Sequence, residues 1–103
     1  MDVTVSGKHI EVTDAIRQYA TDKTMKLPRY YDRVKSVEVI ADKGDRHSYE
    51  IELVVHVDRH EHFVARSRGD DLYACIDESI DKLERQLTDF KERRQGRRRS
   101  PPR

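Results

Sequence analysis

The chain has 103 residues, 40% of them charged and 35% hydrophobic, with a single cysteine and a formal net charge of +1. That length suits one domain with one modest core, and a lone Cys75 excludes both a disulfide framework and a cysteine-rich zinc site. No run approaches the ~18 apolar residues of a membrane span, and the opening MDVTVSGKHIEV has neither the basic nor the apolar region of a secretory signal. A cytoplasmic protein with no membrane partner is expected.

Charge is unevenly placed. Residues 1–90 hold 14 Lys and Arg against 19 Asp and Glu, whereas residues 91–103 hold seven against one. A basic end on an acidic body suits an arm for phosphate, and Arg dominates it, which favours bidentate contact. A solubilising end without a partner would read the same way. The expected division is a domain over 1–94 and a flexible Arg-rich tail over 95–103.

In chain order, Val3 and Val5 alternate with polar neighbours, and Ser6-Gly7 closes the run, so residues 2–6 are predicted as a strand. An extended piece with Ile10 and Val12 follows. Thr13 offers an N-cap oxygen, and Asp14 places an anion in the first turn. Ile16, Tyr19, Ala20, Lys23 and Leu27 recur at helical spacing, predicting a helix over about 14–27 that Pro28 ends or kinks. Tyr30 and Tyr31 are expected beneath the sheet. Val37 and Val39 mark a second strand over 34–42, and Lys43-Gly44-Asp45 a turn. Tyr49, Ile51, Leu53, Val55 and Val57 alternate through the most regular strand of the chain. Asp58-Arg59-His60-Glu61 turns into a fourth strand with Phe63, Ala65 and Ser67 facing inward, ended by Gly69.

A second helix starts at Asp70 or Asp71. Its Leu72, Ile76, Ile80, Leu83, Leu87 and Phe90 fall within an arc of about 80°, and Gly96 could close it in a left-handed conformation. The predicted order is β-α-β-β-β-α, an α+β fold with two helices packed on one face of a four-stranded sheet.

Catalytic chemistry finds little support. His60-Glu61-His62 beside Asp58 and His56 offers two imidazoles to one ion but no fixed third ligand, and zinc wants three or four. A polar hairpin explains the same residues, so no metal is expected. Cys75 borders the apolar arc with no histidine placed to activate it and reads as a packed thiol. The four glycines are isolated, so there is no phosphate-cradling loop. Asp77 and Asp81, one turn apart, read as solvated helix carboxylates. No catalytic residue or cofactor is expected, and the chain does not read as an enzyme.

Basic residues are more informative. The second helix carries Lys82, Arg85, Gln86 and Arg93 toward one flank, with Asp77, Asp81 and Glu84 on the other. Over 17–35, Arg17, Lys23, Lys26, Arg29, Arg33 and Lys35 meet only Asp22 and Asp32. Basic flanks on both helices could follow phosphates along structured RNA. Solvated surface charge is the plain alternative for any one of them.

The run Asp71-Leu72-Tyr73-Ala74-Cys75-Ile76-Asp77-Glu78-Ser79-Ile80-Asp81-Lys82-Leu83-Glu84-Arg85-Gln86-Leu87 resembles the signature helix of the ribosome hibernation promoting factor family. That family includes the ribosome-associated inhibitor protein Y and once carried the label sigma-54 modulation protein. Ser6-Gly7-Lys8-His9-Ile10-Glu11-Val12-Thr13-Asp14-Ala15-Ile16-Arg17 matches too, as do Lys26-Leu27 and Tyr30-Tyr31-Asp32-Arg33-Val34.

The resemblance covers residues 1 to about 94. It implies a fold similar to a double-stranded-RNA-binding domain and binding to the small ribosomal subunit in the channel used by messenger and transfer RNA. Idle ribosomes would be silenced by steric occlusion in stationary phase or stress. Carried over by position, the RNA contacts would be Lys23, Lys26 and Arg29 near the first helix, with Lys82, Arg85, Gln86 and Lys91 on the second. The chain resembles the short form, a monomer when free, which would need a separate partner to form ribosome dimers. Two alternatives stay open: a protein-interaction regulator that docks its acidic flank on a basic partner, and a general RNA chaperone driven by the Arg tail.

Overall fold

A computed structural model describes residues 1–59 and 62–98, with side chains through Arg93. The elements are β1 (Asp2–Lys8), α1 (Asp14–Thr24), a single 3-10 turn over Leu27–Arg29, β2 (Val34–Lys43), β3 (Tyr49–Val57), β4 (Phe63–Gly69) and α2 (Leu72–Arg98). The sheet order is β1-β2-β3-β4. β1 runs parallel to β2, and the other pairings are antiparallel. A parallel pair needs a crossover, and α1 supplies it; the turns after β2 and β3 are short enough for hairpins.

Alternation puts one row of side chains from every strand on a single face. Val5, Val37, Val39, Ala41, Ile51, Leu53, Val55 and Ala65 are buried there. Against them lie Ile16 and Ala20 of α1, and Leu72, Cys75, Ile76, Ile80, Leu83 and Leu87 of α2. The expected α2 stripe is therefore the core stripe, with Phe90 half-buried and packed edge-on to Tyr31 and Phe63. Cys75 is buried as a packing residue, its Sγ 3.8 Å from the Tyr49 carbonyl oxygen; burial pushes the thiol pKa up. Thr13 caps α1, its Oγ1 accepting from the Ile16 N–H at 3.1 Å. Asp71 caps α2 through the Tyr73 N–H at 3.0 Å.

Several boundaries differ from expectation. β1 continues through Ser6-Gly7 to Lys8. Gly7 does not stop the strand but allows a close approach: a Cβ there would run into the Ile10 carbonyl oxygen. α1 ends at Thr24 rather than near 27. Pro28 has no N–H and disfavours helical geometry at Leu27, so the chain tightens, with the Lys26 N–H bonding the Lys23 carbonyl at 3.3 Å. Only Tyr31 of the tyrosine pair is buried; Tyr30 is exposed. Gly96 does not close α2, which runs on to Arg98. Glycine permits a stop without imposing one, and helical glycine costs only about 1 kcal/mol relative to alanine. Residues 95–98, assigned above to the tail, are thus helical in backbone, whereas 99–103 lie outside the described residues.

Candidate nucleic-acid interface

α1 and α2 lie side by side and run the same way, so successive turns of one meet successive turns of the other. At the first meeting the Tyr19 hydroxyl donates to both oxygens of Asp77, at 2.8 and 2.9 Å. Lys23 Nζ lies 3.5 Å from the same carboxylate and 5.3 Å from the Tyr19 ring centroid. The Asp77 hydrogen bond raises the Tyr19 pKa above 10.0, and the Asp77 charge raises that of Lys23. Tyr73, one turn before Asp77, meets Tyr19 edge-to-face with centroids 4.9 Å apart.

Beyond this latch the helices frame an open groove. Lys23, Lys26, Arg29 and Tyr30 line one wall, and Asp77, Ile80, Asp81 and Glu84 the other. It continues along α2 past Arg85, Thr88 and Asp89. Lys26, Arg29 and Arg85 are exposed and form no ion pair with any described residue. The acidic flank of α2 therefore faces Lys23, Lys26 and Arg29. Asp77 is held by Tyr19 and Lys23, contrary to the expectation of a solvated carboxylate, whereas Asp81 is exposed and pairs with no described residue.

The other flank of α2 turns toward β4, an edge strand. Lys82 Nζ donates to the Arg66 carbonyl at 2.6 Å, and Gln86 Nε2 to the Val64 carbonyl at 3.0 Å. The spacing is natural: one helix turn of four residues rises about 6 Å, and two strand residues about 6.8 Å. Arg17 of α1 does the same at the opposite edge, donating to the Val5 carbonyl at 3.0 Å. Unpaired edge carbonyls invite foreign strands, and here three long side chains from the helix layer occupy them.

The sheet's open face is neutralised differently. Arg66 pairs with Glu52 at 2.9 Å and Arg68 with Glu50 at 3.7 Å, each directly across the β3–β4 ladder. His56 pairs with Glu38 at 2.9 Å, and His9 with Asp42 at 3.0 Å. The His9 hydrogen bond lowers the Asp42 pKa below its ordinary value. The His62 ring lies 5.4 Å from that of His56, while His60 and Glu61, the rest of the metal motif, lie outside the described residues.

The seven residues proposed for RNA contact thus divide. Lys23, Lys26, Arg29 and Arg85 border the groove; Lys82 and Gln86 stand at the β4 edge; Lys91 is exposed farther along α2. Sequence reasoning missed the edge role of Lys82, Gln86 and Arg17, which has no local signature. It also missed the Tyr19–Asp77 contact, which spans 58 positions; the only hint was a tyrosine on the helical face that α1 turns inward.

A mixed four-stranded sheet with one face covered by two helices defines an α+β domain. The chain matches the model of the Sigma 54 modulation protein / S30EA ribosomal protein family over residues 3–95, and it belongs to that family. It is 42% identical over 102 residues to a protein of Azotobacter vinelandii named ribosome hibernation promoting factor, covering 95% of this chain and 94% of that one. Identity to the Escherichia coli protein of the same name is 38% over 93 residues, covering 90% and 96%. Among solved structures, the Thermus thermophilus Protein Y N-terminal domain superposes with a TM-score of 0.78 at 30% identity, covering 87% of this chain and 99% of that one. A ribosomal subunit interface protein from Coxiella burnetii also gives 0.78, at 22% identity and with 89% and 99% coverage, a likeness of fold.

Proposed function

We propose that this protein is a cytoplasmic ribosome hibernation factor that occupies the messenger and transfer RNA channel of the small ribosomal subunit and inhibits translation by steric occlusion, with no chemical step. The observation that carries this reading is the placement of uncommitted cations. Lys26, Arg29 and Arg85, with Lys91 beyond them, stand on the helix layer without anionic partners among the described residues, whereas Arg66, Arg68 and His56 of the sheet face are paired. Phosphates of folded ribosomal RNA supply the missing anions, and such contacts position a protein by shape without reading sequence. Lys23 contributes its charge from the groove wall. Lys82, whose ammonium spends one of three donors on Arg66, keeps two for phosphate; Gln86 keeps one. The Arg-rich residues 95–103 add attraction for polyanions generally. Docking of the acidic flank on a basic protein is less favoured, because Asp77 is already held by Tyr19 and Lys23.

The test is sedimentation of the purified protein with small subunits on a sucrose gradient, with and without initiator transfer RNA. Stoichiometric binding that the transfer RNA displaces is expected. Absence of co-sedimentation at moderate salt would remove the proposal, and loss of all binding on deleting residues 95–103 would favour an RNA chaperone.

A further inference from the structure

Tyr73 stands at the upper end of the α1–α2 groove with 39% of its surface exposed, the largest exposed side chain of α2 among the described apolar and aromatic residues. It lies on the first turn of the helix, where the Asp71 side chain caps the N–H groups of Tyr73 and Ala74, and so on backbone that is fixed locally. Its ring is fixed as well. Tyr19 supports it edge-to-face at 88° and 4.9 Å. Tyr19 is in turn clamped at its hydroxyl by both oxygens of Asp77 and flanked by the Lys23 ammonium. An exposed aromatic ring that served only as packing would not need so many constraints on its neighbour.

The surroundings identify what such a ring takes. Lys23 Nζ is 5.3 Å from the Tyr19 centroid, and that ring touches the part-exposed ring of Tyr73, so a cation and an accessible aromatic side chain lie within the span of one nucleotide. Lys26 and Arg29 continue the cationic wall in the same direction. Single-stranded RNA presents this pair of features, a phosphate and an unstacked base, and aromatic side chains beside cations are the usual means of holding it.

We infer that Tyr73, buttressed by Tyr19, is a stacking platform for one unstacked nucleobase of the RNA whose phosphates lie along Lys23, Lys26 and Arg29. This rests on the proposed binding to the small subunit and adds to it a contact that is not electrostatic. Recognition then combines a salt-sensitive part from the groove cations with a salt-insensitive part from the ring. The Asp77 carboxylate does not repel the nucleotide strongly, because Lys23 and the Tyr19 hydroxyl already satisfy it.

Small-subunit affinity measured across a salt series for wild type, Tyr73→Phe, Tyr73→Leu and Tyr73→Ala tests this. Removing one base stack weakens binding by about fivefold or more in both the Leu and Ala variants, with the slope of log affinity against log salt unchanged because every phosphate keeps its cation. Tyr73→Phe keeps wild-type affinity. Leucine maintains apolar bulk over Tyr19, so a folding defect in the alanine variant leaves the comparison intact. Wild-type affinity in a folded Leu variant would overturn the platform while leaving the ribosome reading in place; failure of the wild type to bind at all would overturn that reading instead. A photo-crosslinker at position 73 should join RNA, and a crosslink to ribosomal protein alone would show that the ring docks on protein.

Discussion

The two layers of this molecule handle their charged side chains differently. On the open face of the sheet, Arg66 meets Glu52 and Arg68 meets Glu50 across the ladder, and His56 hydrogen-bonds Glu38. On the helix layer, Lys26, Arg29 and Arg85 point along a groove without an ion-pair partner among the described residues. Net charge hides this difference, since residues 1–90 hold 14 Lys and Arg against 19 Asp and Glu. What decides where an anion binds is whether each cation is already neutralised within hydrogen-bond distance. Exposed pairs contribute little stability, and Lys8 is the described lysine of that face without an ion pair.

The most forceful way to break the comparison is to strip the groove. Replacing Lys26, Arg29 and Arg85 together by alanine should weaken small-subunit binding by about a hundredfold, at ~1 kcal/mol for each cation removed. The same change should flatten the salt dependence by about 0.7–0.9 in slope for each phosphate left without its cation. Replacing Arg66 and Arg68 should leave both quantities within a factor of two. Equal effects from the two sets would erase the distinction.

The edge residues sharpen it next. Lys82→Ala with Gln86→Ala removes two hydrogen bonds to β4 carbonyls and is expected to cost about 1–3 kcal/mol in denaturant unfolding. It also bares a strand edge, so sedimentation velocity should detect association that rises with protein concentration. A variant that stays monomeric and equally stable would mean that water serves those carbonyls as well.

Smaller effects report on pH. The Tyr19 hydroxyl has its pKa raised, chiefly by donating to Asp77. The protonated form is favoured in the folded state, so its contribution is complete below pH 10 and fades as pH rises through the folded-state value. Tyr19→Phe should lose that alkaline component, visible as a flatter thermal-stability profile above pH 10. Least of all, Asp42 has its pKa lowered, first by the hydrogen bond from His9. Its contribution is present above the unfolded-state value and disappears as pH falls through the folded one. NMR titration of His9→Ala should move the Asp42 midpoint up toward its ordinary value, with almost no change in stability because the pair is exposed.

Much of the fold is legible in the chain because its signals are local and periodic. Alternation in Tyr49–Val57 marks β3, and the stripe from Leu72 to Leu87 marks the buried face of α2. Where two local signals compete, the reading slips. Gly96 suggests a stop, yet α2 continues to Arg98; Pro28 suggests an end near 27, yet the chain tightens three residues earlier. The candidate site is legible only by half. A helical wheel separates the basic flank of α2 from the acidic one, but it does not say what stands opposite each. Packing on the sheet turned the acidic flank toward α1 and the flank of Lys82 and Gln86 toward β4, pairing Tyr19 with Asp77 from 58 positions away. Resemblance picked out cations of the helix layer without distinguishing those that hold the fold from those left free.

Lysine footprinting of the protein bound to small subunits tests most directly whether the helix layer is the surface that meets RNA. Amine-reactive labelling, read by mass spectrometry, should show Lys26 and Lys91 strongly protected on binding and Lys23 and Lys82 partly so. Lys8, on the open face of the sheet, and Lys43, at the end of β2, should label as readily as in the free protein. Protection of Lys8 and Lys43 with full reactivity at Lys26 and Lys91 would place the RNA on the sheet and contradict the account.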